Sequence, residues 1–211
     1  MDGLDLAALQ KWIKNCAVLM QENKELLIAL DSAVGDGDLG LTMTAGFDAA
    51  RESIQEYSGN DLGKALMAAG MQMAKTVPST MGTLVGSGFM EAGKCIRGMS
   101  ILDRAAVISI TAAFAEGIAH RGKASEGERT ILDAICPAAA MFQKHITAGE
   151  SLTAAGKNAW EAAQAGVEKT KSMLPVYGRA VYYGEKVLGK PDQGAVTGMF
   201  IYEALYKSLL V

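Results

Sequence analysis

Apolar residues recur every three or four positions along most of the chain, beginning with Leu6, Leu9, Ile13, Cys16 and Met20. That period gathers one buried stripe per segment and predicts a helix over residues 4 to 20. The same pattern predicts helices over 22 to 30, 41 to 56, 60 to 76, 82 to 98, 103 to 120, 130 to 146, 151 to 172 and 194 to 210, with a shorter element over 178 to 188. Alternating β-branched runs, the mark of strands, are almost absent. Turn-forming residues fall between the segments, as at Gly35 and Gly37, Ser58-Gly59-Asn60, Pro78-Ser79, Gly98 and Gly189-Lys190-Pro191. Short loops between long helices force antiparallel neighbours, so the expected fold is all-α, an up-and-down bundle or helical barrel. Pro137 falls inside a predicted helix and should end or kink it.

Composition narrows the class. With 211 residues, half of them apolar and one fifth charged, the chain can bury one sizeable core, read as a single domain over 1–211. Twenty Lys and Arg against 23 Asp and Glu, a net charge of -3, argue against nucleic acid as a partner. No apolar stretch approaches the roughly 20 residues that span a bilayer, and Met1-Asp2-Gly3-Leu4-Asp5 lacks a signal peptide's basic start. No membrane partner and a cytoplasmic location are expected. Cys16, Cys95 and Cys136 are odd in number, far apart and set among apolar residues, so they read as reduced core packing, with no disulfide framework or zinc site.

Small residues crowd Ala65-Leu66-Met67-Ala68-Ala69-Gly70 and Gly82-Thr83-Leu84-Val85-Gly86-Ser87-Gly88. Each glycine costs about 1 kcal/mol inside a helix, so something approaches the backbone there, either a neighbouring helix or a ligand. The stretch Asp31-Ser32-Ala33-Val34-Gly35-Asp36-Gly37-Asp38-Leu39-Gly40 brings three carboxylates into one interhelical loop. Its G-x-G-x-x-G spacing lacks the strand a dinucleotide site requires, and a calcium loop beginning at Asp36 would place Leu41 and Phe47 where glycine and glutamate belong. Folded back, Asp31, Asp36 and Asp38 would repel one another unless a hard cation such as Mg²⁺ bound them, with substrate phosphates completing its shell. The plain alternative is a solvated acidic turn with Asp38 capping the next helix.

Other loops supply anion-binding features. Pro78-Ser79-Thr80-Met81-Gly82 and Gly127-Glu128-Arg129-Thr130-Ile131-Leu132-Asp133 precede helices, whose free amides suit phosphate oxygens. Arg179, beside Gly178, offers a charged fork for phosphate, or a surface partner for Glu185 or Asp192. His120 and His145 sit near helix ends, where positive charge complements the dipole. No G-x-S-x-G, H-E-x-x-H or P-loop motif is present.

Taken in order, Gly35-Asp36-Gly37-Asp38-x-Gly40, Arg121-Gly122-Lys123-Ala124 with Gly127 and Thr130, Gly178-Arg179-Ala180, Gly184-Glu185, Gly189 and Asp192-x-Gly194-Ala195 resemble the nucleotide-binding L subunit, or L domain, of dihydroxyacetone kinases. The likeness covers nearly the whole chain. It implies a barrel of eight antiparallel helices with a nucleotide at one end, and two Mg²⁺ ions held by Asp31, Asp36 and Asp38 on the phosphates of ADP or ATP. The nucleotide contacts it implies fall on Leu39, Gly40, Leu41, Thr42, Thr80, Met81, Gly122, Ile131, Arg179, Asp192, Gln193 and Gly194. Arg179 would also offset charge during phosphoryl transfer, the one catalytic role implied. The implied partners are a K subunit holding dihydroxyacetone or a related ketose through a histidine and, in some members, a phosphotransferase-system protein that recharges ADP. Four departures stand out: Leu39 for histidine, Pro78-Ser79-Thr80-Met81 for Gly-Gly-Ala-Ser, Gln193 for proline, and Arg129-Thr130-Ile131 for Lys-Thr-Met. They keep open a second reading, a regulatory or binding paralogue that retains Mg-ADP and docks on a partner without phosphotransfer.

Overall fold

The computed structural model describes residues 3–210; Met1 and Asp2, where the leader reading begins, lie outside them. The described chain forms α1 (Leu6–Glu22), α2 (Lys24–Ser32), α3 (Leu39–Glu56), α4 (Leu62–Thr76), α5 (Thr80–Cys95), α6 (Arg104–Gly122), α7 (Leu132–Thr147), α8 (Leu152–Thr170) and α9 (Gln193–Leu209), with a 3₁₀ segment, Arg179–Val187, before α9. Caps explain most of the starts. Asp5, Asp61, Ser79, Asp103, Ser151 and Asp192 each accept an N–H from the first turn of the helix that follows, at 2.8 to 3.1 Å. Each such cap contributes about 1 kcal/mol.

From α3 onward, each helix packs on the next, and α1 closes the ring by packing on both α3 and α9. Lys11 Nζ donates to the Leu210 carbonyl at 2.7 Å, and Trp12 Nε1 to that of Ile201 at 3.2 Å, so α1 and α9 run antiparallel. Alternation around the ring makes an up-and-down barrel, with α2 following α1 directly at Asn23 and packing on the same two neighbours, α3 and α9. The interior is filled by Trp12, Phe47, Phe89 and Phe114; Phe89 meets Trp12 and Phe47 edge-on, with ring centroids 5.6 and 6.0 Å apart. Among the described residues the extended backbone pairs only at an isolated bridge between Leu4 and Leu102.

The small-residue stripes of α4 and α5 are explained by helix contact. A Cβ on Gly70 would lie 2.6 Å from the Gly86 carbonyl oxygen, and one on Gly63 would lie 2.4 Å from that of Gly93. Backbone meets backbone there. Of the two outcomes expected at Pro137, the ending does not occur: α7 continues to Thr147. Pro137 has no N–H to offer the Asp133 carbonyl, and that carbonyl lies against Gly166 of α8, where a Cβ would come within 2.0 Å of its oxygen. Cys16 is buried, as core packing requires; Cys95 is instead exposed on the last turn of α5, and Cys136 is half-buried. All three thiols are free, and burial raises each pKa, that of Cys136 to about 11.

Candidate functional site

The alternating ring sends the N-termini of α3, α5, α7 and α9 to one end of the barrel. Their unpaired amides and dipoles make that end favourable to anions. The connections at this end are residues 33–38, 77–79, 123–131 and 171–192. Together they wall a cavity of about 480 Å³, whose lining runs into an adjoining cleft of about 620 Å³ across Thr80, Leu84, Ile131 and Tyr177.

At one side of the cavity, Asp31, Asp36 and Asp38 each offer a carboxylate oxygen, and all three oxygens lie within 4.8 Å of one another. Asp31 ends α2 and is buried; its Oδ2 accepts the N–H groups of Asp38 and Leu39 at 3.0 and 3.4 Å. It therefore caps α3, and Asp38 makes no side-chain cap there, contrary to the plain reading of the loop. Gly37, at φ 76°, supplies the left-handed turn that folds the loop back. The Asp38 carboxyl is raised above its ordinary pKa by partial burial first and then by the charges of Asp36 and Asp31, with Arg179 and a Thr42 hydrogen bond opposing. A donor set of oxygens alone, mutually repelling and partly open, fits a hard divalent cation.

Arg179 reaches this cluster from the opposite wall, its Nη2 lying 2.8 Å from Asp36 Oδ2. Its partner is thus Asp36 rather than Glu185 or Asp192. With the side chains 65% and 44% exposed, the pair contributes about 1 kcal/mol at most and can be exchanged for other partners. Gln193 Nε2 donates to Asp31 Oδ1 at 3.4 Å, tying the head of α9 to the acidic loop. Asp192 is buried beside it, and burial pushes its pKa up to about 6 against the caps and charge that hold it down.

Leu39, Thr42, Thr80, Met81, Ile131, Arg179, Asp192, Gln193 and Gly194 line the same cavity as the three aspartates, whereas Gly122 lines the adjoining cleft. Gly40 and Leu41 are not brought in. A Cβ on Gly40 would lie 2.2 Å from the Lys24 carbonyl oxygen, so Gly40 serves the contact with α2, and Leu41 is exposed outside the cavity. His120 and His145 lie in the last turns of α6 and α7, and His145 Nδ1 meets Glu150 Oε1 at 2.7 Å.

Sequence reasoning missed the groups that hold the walls. Asp133, buried in the first turn of α7, accepts the amides of Gly127 and Thr130 at 2.6 and 2.7 Å, so those amides are not free for phosphate. Arg129, also buried, donates to the last carbonyl of α8 and to three carbonyls of the segment between α8 and α9. Tyr177 Oη donates to the Lys123 carbonyl at 2.6 Å. An arginine and a tyrosine in polar loops carry no mark of burial or of partners so distant in sequence.

An up-and-down helical barrel with clustered carboxylates and converging helix N-termini at one mouth defines the class. The chain belongs to the DAK2 domain family, whose model matches residues 33–207. It is 31% identical over 199 residues to the ADP-binding subunit DhaL of PEP-dependent dihydroxyacetone kinase 1 from Listeria innocua, covering 94% of each chain. It is 28% identical to the corresponding Escherichia coli ADP-binding subunit, covering 96% of this chain and 97% of that one. Among solved structures it is similar to the dihydroxyacetone kinase of C. freundii in complex with AMP-PNP and Mg²⁺, with a TM-score of 0.74 and 25% identity over 96% of this chain. It spans 34% of that longer kinase chain.

Proposed function

We propose that the chain is the Mg-nucleotide-binding subunit of a dihydroxyacetone-type kinase, acting in the cytoplasm as a single domain. The observation that carries this reading is the convergence of Asp31, Asp36 and Asp38 where the helix N-termini meet. These carboxylates would hold two Mg²⁺ ions, which would supply positive charge to the nucleotide phosphates. Asp31 is set in advance by the Asp38 and Leu39 amides, so its orientation costs nothing on binding. Arg179, released from Asp36, would turn its fork to the transferring phosphoryl group. The apolar cleft formed by Leu84, Ile131 and Tyr177 suits a flat base. The acceptor, a hydroxyl of dihydroxyacetone or a related ketose, would be carried to the open mouth by a separate K subunit. Relatives named as ADP-binding subunits of PEP-dependent dihydroxyacetone kinases, and one from Lactococcus lactis named PTS-dependent, support a phosphotransferase-system protein as the donor that would recharge bound ADP.

Thermal melts test the binding step. At a nucleotide concentration of 100 times Kd, with Mg²⁺ present, the melting temperature should rise by about 5–10 °C, the equivalent of about 2.7 kcal/mol in a domain of this size. The rise should vanish with EDTA and in the Asp36→Ala/Asp38→Ala variant; no shift in the unaltered protein would sink the reading. Mixed with a K subunit and a phosphoryl donor, the chain should support phosphorylation of dihydroxyacetone. Leu39 and Met81, apolar in the cavity wall, favour one second reading: a Mg-ADP protein that regulates a partner. Nucleotide binding without transfer in that assay would select it.

A further inference from the structure

Residues 171–192 form a strap between α8 and α9 that carries Tyr177, Gly178 and Arg179 into the cavity wall. A loop of this length is held in one place only if its base is closed and its middle anchored. The middle rests on the acidic loop through a small buried cluster of Val34, Ala180 and Val187. The base is gathered on one side chain. Arg129 is 3% exposed, and one of its terminal nitrogens donates to the Thr170 and Met173 carbonyls at the entry of the strap, the latter at 3.4 Å. The other donates to Val187 and Lys190 at the exit, at 3.3 and 3.0 Å. Two rigidly spaced nitrogens can bridge two carbonyl pairs in this way, whereas a single ammonium cannot.

Arg129 itself sits in the left-handed region, at φ 59°, in the turn that Asp133 fastens through Gly127 and Thr130. That turn also sets Ile131 in the cavity wall. One residue thus couples the fixed wall to both ends of the strap.

We propose that Arg129 is a positioning residue: its fork closes the base of the strap onto the α7 turn and thereby holds Arg179 opposite the aspartate cluster. The functional half of this statement rests on the reading of Arg179 as facing phosphate. Two measurements separate the halves. Chymotrypsin cleavage after Tyr182, which is 90% exposed, reads strap order alone. In Arg129→Gln this cleavage should speed up about tenfold with helicity retained, because the base opens without global unfolding. Unchanged cleavage would overturn the proposal. Arg129→Lys, which keeps the charge without the fork and guards against a Gln variant that fails to fold, should also be cleaved faster; full protection would show that charge suffices and would overturn the fork's role.

The second measurement is a double-mutant cycle on Mg-ATP affinity. Arg129→Gln and Arg179→Gln should each weaken binding about tenfold, and the double variant should be no weaker than Arg179→Gln alone, because the first acts through the second. Losses that multiply to about a hundredfold would overturn positioning through Arg179. If Arg179→Gln binds like the unaltered protein, the phosphate reading of Arg179 fails, and the cleavage result still decides whether Arg129 holds the strap.

Discussion

Asp192 caps α9 through the Ala195 amide at 2.8 Å while buried beside the cavity. Its folded-state pKa, about 6, lies above the ordinary 3.8. The native protein therefore keeps this proton through a range where the unfolded chain has lost it. The group's contribution is most favourable below about pH 4 and is lost as pH rises through about 6. Asp192→Asn preserves a cap acceptor and removes the buried charge, at the cost of a counter-charge for Arg129. The net expectation is a gain of about 1 kcal/mol at pH 7 that disappears near pH 4, checked by melts of both proteins across that range.

At the scale of elements, the α4–α5 crossing sets two effects against each other. Alanine is a better helix former than glycine by about 1 kcal/mol, but a Cβ on Gly70 would lie 2.6 Å from a backbone oxygen of α5, which has no rotamer with which to yield. The clash wins, and Gly70→Ala should lower stability by about 2 kcal/mol in urea unfolding. The helices themselves were legible, because each needs only a local period and a cap: the stretch read as 41 to 56 is Leu39–Glu56, and that read as 103 to 120 is Arg104–Gly122. Continuation past Pro137 was not, because the room for the freed Asp133 carbonyl comes from the missing side chain of Gly166 on another helix. The acidic loop stood out in sequence because like charges close together are conspicuous. Arg129 did not, since the four carbonyls that bury it lie more than forty residues away. Gly40 and Leu41 show the limit of carrying contacts over from a resemblance, since one packs against α2 and its neighbour faces solvent.

At the scale of the whole molecule, closure of the ring by α1 against α9 is what no local pattern predicts. The start of α1 and the end of α9 lie side by side, at the far end of the barrel from Asp192 and the acidic loop. A circular permutant that joins these ends through a short linker and opens at Gly149, in the turn between α7 and α8, should keep the helical content and Mg²⁺-dependent nucleotide stabilisation of the parent. Loss of both would mean that the order of the helices, and not only their packing, is needed to assemble the ring.

The same geometry explains how such a barrel can serve both as a subunit of similar length and as about a third of a longer kinase chain. In this chain the start of α1 and the end of α9 share one pole, and the acidic loop lies at the other. A tether at the first pole would leave the second open to solvent and to any partner, whichever length of chain the barrel belongs to.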